Sequence, residues 1–200
     1  LTKVGKGLGR KLASFLIDTM GEEKLEYILD KDPEQLLSVK GIKEKKLSKI
    51  VGNWQRYRDL KELSKFLVPL GATHTFVQKV YREFEEEKNI IGNIKDNPYV
   101  LTRIKGVGFK TADKIGRAMG VEPTDAHRIE SCIEYVLFDY TDTNGNSCIA
   151  EPLLLHLANH ELLSGEDDCK IEPELFRDIL GTMAENGKIV FLKDGKLTSS

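Results

Sequence analysis

Residues 104–115 read I-K-G-V-G-F-K-T-A-D-K-I, and their types and spacing suit the capture of an anion. Gly106 and Gly108, one residue apart, permit a tight turn and let the backbone come close to a partner. Lys105 stands just before the turn and Lys110 just after it. Thr111, Ala112 and Ile115 then open a helix that Met119 continues. The start of a helix presents unpaired N–H groups and the positive end of its dipole. The backbone N–H groups of Gly106, Val107 and Gly108, with charge from Lys105, Lys110 and Lys114, are therefore expected to hold one phosphate.

The stretch resembles the helix-hairpin-helix motif, a DNA-backbone binder that does not read sequence. It is repeated. Residues 5–16, G-K-G-L-G-R-K-L-A-S-F-L, superimpose on it, with Lys6, Gly7, Gly9, Lys11 and Ala13 on Lys105, Gly106, Gly108, Lys110 and Ala112. Gly7, Leu8 and Gly9, with Lys6, Arg10 and Lys11, are expected to take a second phosphate. Residues 39–50 match again, with Lys40 before Gly41, but Lys43 replaces the second glycine, so this hairpin cannot approach a phosphate in the same way. Lys40, Lys43, Lys45, Lys46 and Lys49 give it a diffuse basic surface instead. A fainter copy at Leu70-Gly71-Ala72-Thr73 lacks the second glycine and any cation before Lys79, and is expected to be scaffold.

A longer period lies above these copies. Asp32 to Gly41 aligns without a gap on Asn97 to Gly106, 65 positions on, with proline, leucine, lysine and glycine identical in register. Pro33 and Pro98 suit the first turn of a helix capped by Asp32 and Asn97. The pattern predicts a duplicated unit of two hairpins each, a repeat architecture. It divides the chain into residues 1–60, 61–122 and 123–200. Four αα-hairpins could also form a helical array that braces other proteins without touching DNA.

Charge separates the two ends. The formal net charge is −2, but residues 1–120 carry 24 Lys and Arg against 16 Asp and Glu, and residues 121–200 carry 6 against 16. The first stretch is the candidate surface for an anionic partner. The 40% hydrophobic content and mean hydropathy of −0.33 are ordinary for a globular protein, and no apolar run approaches the ~20 residues of a membrane span. The chain opens on Leu1 rather than Met and is expected to be part of a longer one.

Apolar residues recur at helical spacing through Gly120, as in Leu12, Phe15 and Leu16, then Leu47, Ile50 and Trp54, with Gly21 and Gly120 as stops. Trp54 reads as core rather than as a stacking platform for a base. Glu83 and Glu85 to Glu87 read as a solvated connector. From Asp125 a helix runs to Tyr140 and breaks at Thr143 to Asn146; a short extended piece follows at Cys148-Ile149. Helices opened by Glu151-Pro152 and by Ile171-Glu172-Pro173 run to about Leu163 and Asn186, on either side of a loop at Ser164 to Asp168. Ile189 to Leu197 then forms a β-hairpin with an Asp194-Gly195 turn. That order is the order of a winged-helix domain, and its acidic balance favours docking over DNA contact. The fold expected is mainly α: duplicated tandem helix-hairpin-helix domains followed by a small winged-helix-like domain with a C-terminal β-hairpin.

Taken together, N-P-Y-V-L ahead of I-K-G-V-G-F-K-T-A-D-K-I and the small domain downstream resemble the N-terminal region of RecD-like DNA helicases, also described as exodeoxyribonuclease V alpha-subunit homologues. The resemblance implies sequence-independent binding of single-stranded, duplex or forked DNA, and motor domains in the same polypeptide; the isolated cysteines suit a reducing, cytoplasmic setting. Those motors would use ATP and Mg and move 5′ to 3′. The segment itself has no G-x-x-x-x-G-K-[ST] phosphate loop, and Gly5 to Lys11 lacks that spacing, so no catalysis and no cofactor are expected of it. His156 and His160 lie four apart without a third ligand, and Cys132, Cys148 and Cys169 are isolated, which argues against a metal site. The short stretch after the hairpin and the lack of four clustered cysteines argue against a helix-hairpin-helix glycosylase. The alternative is a protein-interaction scaffold that braces a motor or recruits a partner.

Overall fold

Leu, Ile and Trp at helical spacing in the first 68 positions collect into one apolar core under four helical segments. The computed structural model describes residues 10–87, 89–144, 147–162, 170–192 and 195–199, without the side chains of Arg10 and Asn144. Helix α1 (Arg10–Met20), α2 (Glu22–Lys31), a 3-10 segment (Pro33–Ser38) and the long α3 (Glu44–Leu67) follow in order. Leu16, Leu25, Ile28, Leu36, Ile42, Leu47, Ile50 and Trp54 are buried together. Each fully buried aliphatic side chain contributes about 1.5–3 kcal/mol. Trp54 belongs to that core, and its indole N–H donates to Asp30 Oδ1 at 2.6 Å. This bond, and then Arg58 at 2.7 Å, holds the Asp30 carboxyl below the usual carboxylate range despite partial burial.

The chain divides into two compact units at Val68 and Pro69. Helix α3 passes unbroken through position 60. The second unit contains α4 (His74–Glu83), α5 (Ile90–Asp96), a 3-10 segment (Pro98–Arg103), α6 (Phe109–Ala118), α7 (Ala126–Asn144), β1 (Ile149–Ala150), α8 (Glu151–Leu162), α9 (Pro173–Glu185), β2 (Ile189–Phe191) and β3 (Lys196–Ser199).

The 65-residue period is visible in the backbone. Pro33–Ser38 and Pro98–Arg103 are both 3-10, and α3 and α6 begin at the duplicate positions Glu44 and Phe109. The turn bonds repeat as well: Ile42 N–H to Val39 O at 3.0 Å, and Val107 N–H to Ile104 O at 2.9 Å. Pro33 and Pro98 both stand in the first turn of their helical segments, as expected, and those segments are 3-10. One expectation is corrected here: only Asn97 caps, accepting from Tyr99 N–H at 2.9 Å, whereas the Asp32 carboxylate is taken by the Gln35 side chain at 3.0 Å. The acidic connector is not simply solvated either, because Glu87 accepts from Arg103 and from Asn93.

Helix α6 lies tightly on the 3-10 segment before it. A Cβ at Gly116 would stand 3.1 Å from Pro98 Cγ and 3.2 Å from Tyr99 Oη. Pro98 is buried and the Tyr99 hydroxyl is hydrogen-bonded, so neither can give easily. Overpacking costs of about 1–3 kcal/mol exceed the roughly 0.5–1 kcal/mol that alanine gains over glycine inside a helix. Gly116→Ala is therefore expected to destabilise by about 1 kcal/mol, read as a lower urea midpoint; a raised midpoint would show that the segment yields.

The C-terminal part has the order expected of a winged helix. Asp125 accepts from Arg128 N–H and starts α7, which runs on through Thr143 and Asn144 rather than breaking there. Strand β3 is central in an antiparallel sheet of order β1-β3-β2, pairing Leu197 with both Ile149 and Phe191. Ile149, Ile189 and Leu197 point into the core with Phe176, Leu180 and Met183 of α9. Gly187 ends α9 with φ +70°, and Lys188 N–H reaches back to Met183 O. Gly145, Asn146, Leu163, the Ser164–Asp168 loop, Cys169 and Asp194 lie outside the described residues. Among the described residues no helix is long and apolar enough to cross a membrane.

Candidate nucleic-acid interface

The fourth hairpin is built by a turn that only its first glycine can make cheaply. Ile104 to Val107 closes with a 2.9 Å bond, and Gly106 at its third position has φ +82°. Gly41 and Gly71 hold the matching place in their hairpins, with φ +93° and +89°. Side chains rarely adopt that conformation, so this glycine is demanded by the chain's own geometry.

The second glycine is a different case. Gly108 is extended, at φ −93° and ψ 177°, and Lys43 takes nearly the same conformation at its duplicate position, at φ −116° and ψ 167°. A Cβ at Gly108 would meet nothing within 4 Å. Nothing inside the protein requires glycine here.

Helix α6 starts directly after it. Among the described residues the N–H groups of Gly108, Phe109 and Lys110 have no backbone acceptor, and Gly108 has no side chain to cap them. No acidic residue stands in the first turn. Lys105, Gly106, Gly108, Thr111 and Lys114 are exposed around this end. The Lys114 stem runs beside the third hairpin, with Cε 3.8 Å from the place of a Gly71 Cβ. Three uncapped donors, a positive dipole end and flanking cations together suit an anion.

Two residues behave otherwise than expected. Val107 was expected to offer its N–H outward, but that group is bonded to Ile104 O and the side chain is buried, because the turn itself consumes it. Lys110 is exposed but engaged: its Nζ lies 3.0 Å from Glu161 Oε2 and 5.6 Å from the Tyr135 ring centroid. The Glu161 bond and its charge raise the Lys110 ammonium above its ordinary range.

The other hairpins are poorer. In the second, Lys40, Lys43, Lys45 and Lys49 are exposed, but Lys46 folds back to donate to Gly41 O at 3.2 Å and Glu44 places an acid in the first turn of α3. In the third, Thr73 Oγ1 accepts from Phe76 N–H at 3.2 Å and so caps α4 with its own side chain. Of the first hairpin, Lys6, Gly7, Leu8, Gly9 and the Arg10 side chain lie outside the described residues; Lys11 is exposed on α1.

Sequence reasoning missed the group that anchors this end of α6. Arg128 of α7 is 1% exposed and clamps Asp113 of α6 with two bonds, Nε to Oδ1 at 2.8 Å and Nη2 to Oδ2 at 3.1 Å. It also donates to Pro123 O at 3.0 Å and Leu162 O at 3.4 Å. Burial works against its charge, yet the Asp113 bond and charge leave the guanidinium above its ordinary range. Tyr99 O–H donates to the same carboxylate at 2.7 Å. Burial first, and then Asp113, pushes the Tyr99 phenol up. One signal was present: an acid inside an otherwise basic hairpin helix, where the duplicate position is Ser48.

Cys132 is fully buried against Ala158 O, where burial raises its thiol, and Cys148 is half-buried and unpaired. His160 stands in the open beside Glu161, at 4.0 Å.

Comparison with known proteins covers the same region. Residues 56–148 match the family described as the ATP-dependent RecD2 DNA helicase HHH domain. Residues 1–55 match the SAM-like helix-hairpin-helix tandem. The two stretches meet inside α3. The ATP-dependent RecD2 DNA helicase of Deinococcus radiodurans is 30% identical over 131 residues, which is 66% of this chain and 18% of the relative.

Proposed function

We propose that this chain carries the helix-hairpin-helix region of a RecD-like DNA helicase and grips DNA by phosphate contacts without reading sequence. In this reading the N–H groups of Gly108, Phe109 and Lys110 face one phosphate, and Lys105 and Lys114 supply the charge. The observation that carries it is Gly108. The fold has no use for a glycine there, and its missing side chain leaves the uncapped start of α6 open to a close approach.

Lys6, Gly7, Leu8, Gly9, Arg10 and Lys11 take a second phosphate, and the second hairpin adds diffuse attraction through Lys40, Lys43, Lys45 and Lys49. Phosphate contacts set position and not sequence. The motor that would use ATP lies in the same polypeptide, and the hairpins hold DNA for it. Exposed Val190 and Phe191 on the edge strand β2 favour, as a second reading, a protein-docking role for the C-terminal domain alone.

Fluorescence anisotropy with labelled single-stranded, duplex and forked DNA at two salt concentrations tests the reading. With about four phosphates engaged, log-affinity should fall against log-salt with a slope of roughly −3 to −4 and should not depend on base sequence. Lys105→Glu with Lys114→Glu is expected to weaken binding by about 10–100-fold and flatten the slope by about 2. Unchanged affinity in that variant would move the function to the scaffold reading.

A further inference from the structure

We propose that Glu161 sets the DNA affinity of the fourth hairpin by competing with phosphate for Lys110, an inference that rests on the DNA-binding reading above. Lys110 is the second residue of α6, so its backbone N–H belongs to the uncapped set while its side chain is turned away to α8. The two partners are unequal. The Glu161 side chain is 21% exposed, whereas that of Lys110 is 63% exposed. The carboxylate is the fixed member and the ammonium the one that can swing.

A phosphate arriving at the start of α6 meets this fixed negative charge nearby and must share Lys110 with it or draw it off. The pairing is not a by-product of the motif. Lys45, the duplicate of Lys110, makes no ion pair among the described residues. Through Glu161 the acidic C-terminal domain thus acts on the charge of the hairpin. Glu161 lowers its grip, which suits a module that must release DNA as a motor advances.

A double-mutant cycle decides the matter: Glu161→Gln, Lys110→Gln and the double variant of the whole chain, titrated with single-stranded and duplex DNA across a salt series. Glu161→Gln is expected to tighten binding by about 3–10-fold and to steepen the salt slope by about 0.7–0.9, the contribution of one freed cation. In the Lys110→Gln background the same change should alter affinity by less than about twofold. Lys110→Gln alone should cost little, because the lysine is already spent on Glu161. With the lysine end 63% exposed, the pair contributes little to folding, so melting temperatures should stay close to wild type.

Equal affinity of Glu161→Gln and wild type would overturn the proposal. So would an equal gain with and without Lys110, which would mark a general charge effect. If wild type fails to bind at low salt but Glu161→Gln binds, masking is confirmed in its strongest form. If neither binds, the DNA reading and this inference fall together.

Discussion

Arg128→Ala is expected to lower the stability of the unit that begins at Pro69 by about 3 kcal/mol, because it takes the guanidinium from the partly buried Asp113 carboxylate, 14% exposed, and empties a buried site. Asp113 would lose both guanidinium bonds and keep only the Tyr99 hydroxyl, while Pro123 O and Leu162 O would lose a donor each. The intact pair need not add much over a well-packed apolar pair, since desolvation consumes most of the Coulomb gain. Removing one member is what costs. Asp113→Ala should be at least as damaging, for it leaves a cation at 1% exposure.

The double variant Arg128→Ala/Asp113→Ala should lose less than the sum of the singles, with a coupling of about 1–3 kcal/mol. Urea unfolding followed by circular dichroism checks all three, and a loss under about 1 kcal/mol for Arg128→Ala would show that water or a neighbour replaces the clamp. The consequence for binding is indirect. Asp113 sits on the helix whose first turn faces the phosphate, so loosening the clamp frees that turn and should weaken DNA binding alongside stability.

Gly108→Val is expected to separate those two properties. At φ −93° the position accepts any residue, and its Cβ would stand in open space, so stability should stay within about 0.5 kcal/mol of wild type. DNA affinity should fall by about 10–100-fold, since a branched side chain at the start of α6 holds a phosphate away from two or three N–H donors. Charge-assisted bonds of this kind are worth about 1.5–3 kcal/mol, and each 1.4 kcal/mol is tenfold.

Gly106→Val is the contrasting control. At φ +82° it should lose about 1–2 kcal/mol of stability through backbone strain. Thermal melts beside anisotropy read both. Unchanged affinity in Gly108→Val would remove the close-approach argument, and equal loss of both properties would make the second glycine structural.

These outcomes mark what the linear pattern could hold. The duplicated unit was legible in the linear pattern, because a Pro-x-x-Leu…Lys-Gly frame specifies local geometry: a proline at a helix start and a glycine in a tight turn need only near neighbours in the chain. Gly41, Gly71 and Gly106 all adopt the turn that their spacing implied. Burial of Trp54 and the winged-helix order of the C-terminal part were legible for the same reason, since periodicity sorts side chains by face.

Which polar groups are already spent came from packing between distant segments. Val107 N–H closes the turn, Lys46 folds onto Gly41 O, Thr73 caps its own helix, and Lys110 is drawn to Glu161. Asp113 and Arg128 look like two unrelated surface charges in the sequence, yet they form the buried joint under the candidate site. The partners of Lys110 and Asp113 are 51 and 15 residues away along the chain. A charge has no sequence signature for the partner that packing brings to it, and packing alone separated the open donors of α6 from those the fold had used.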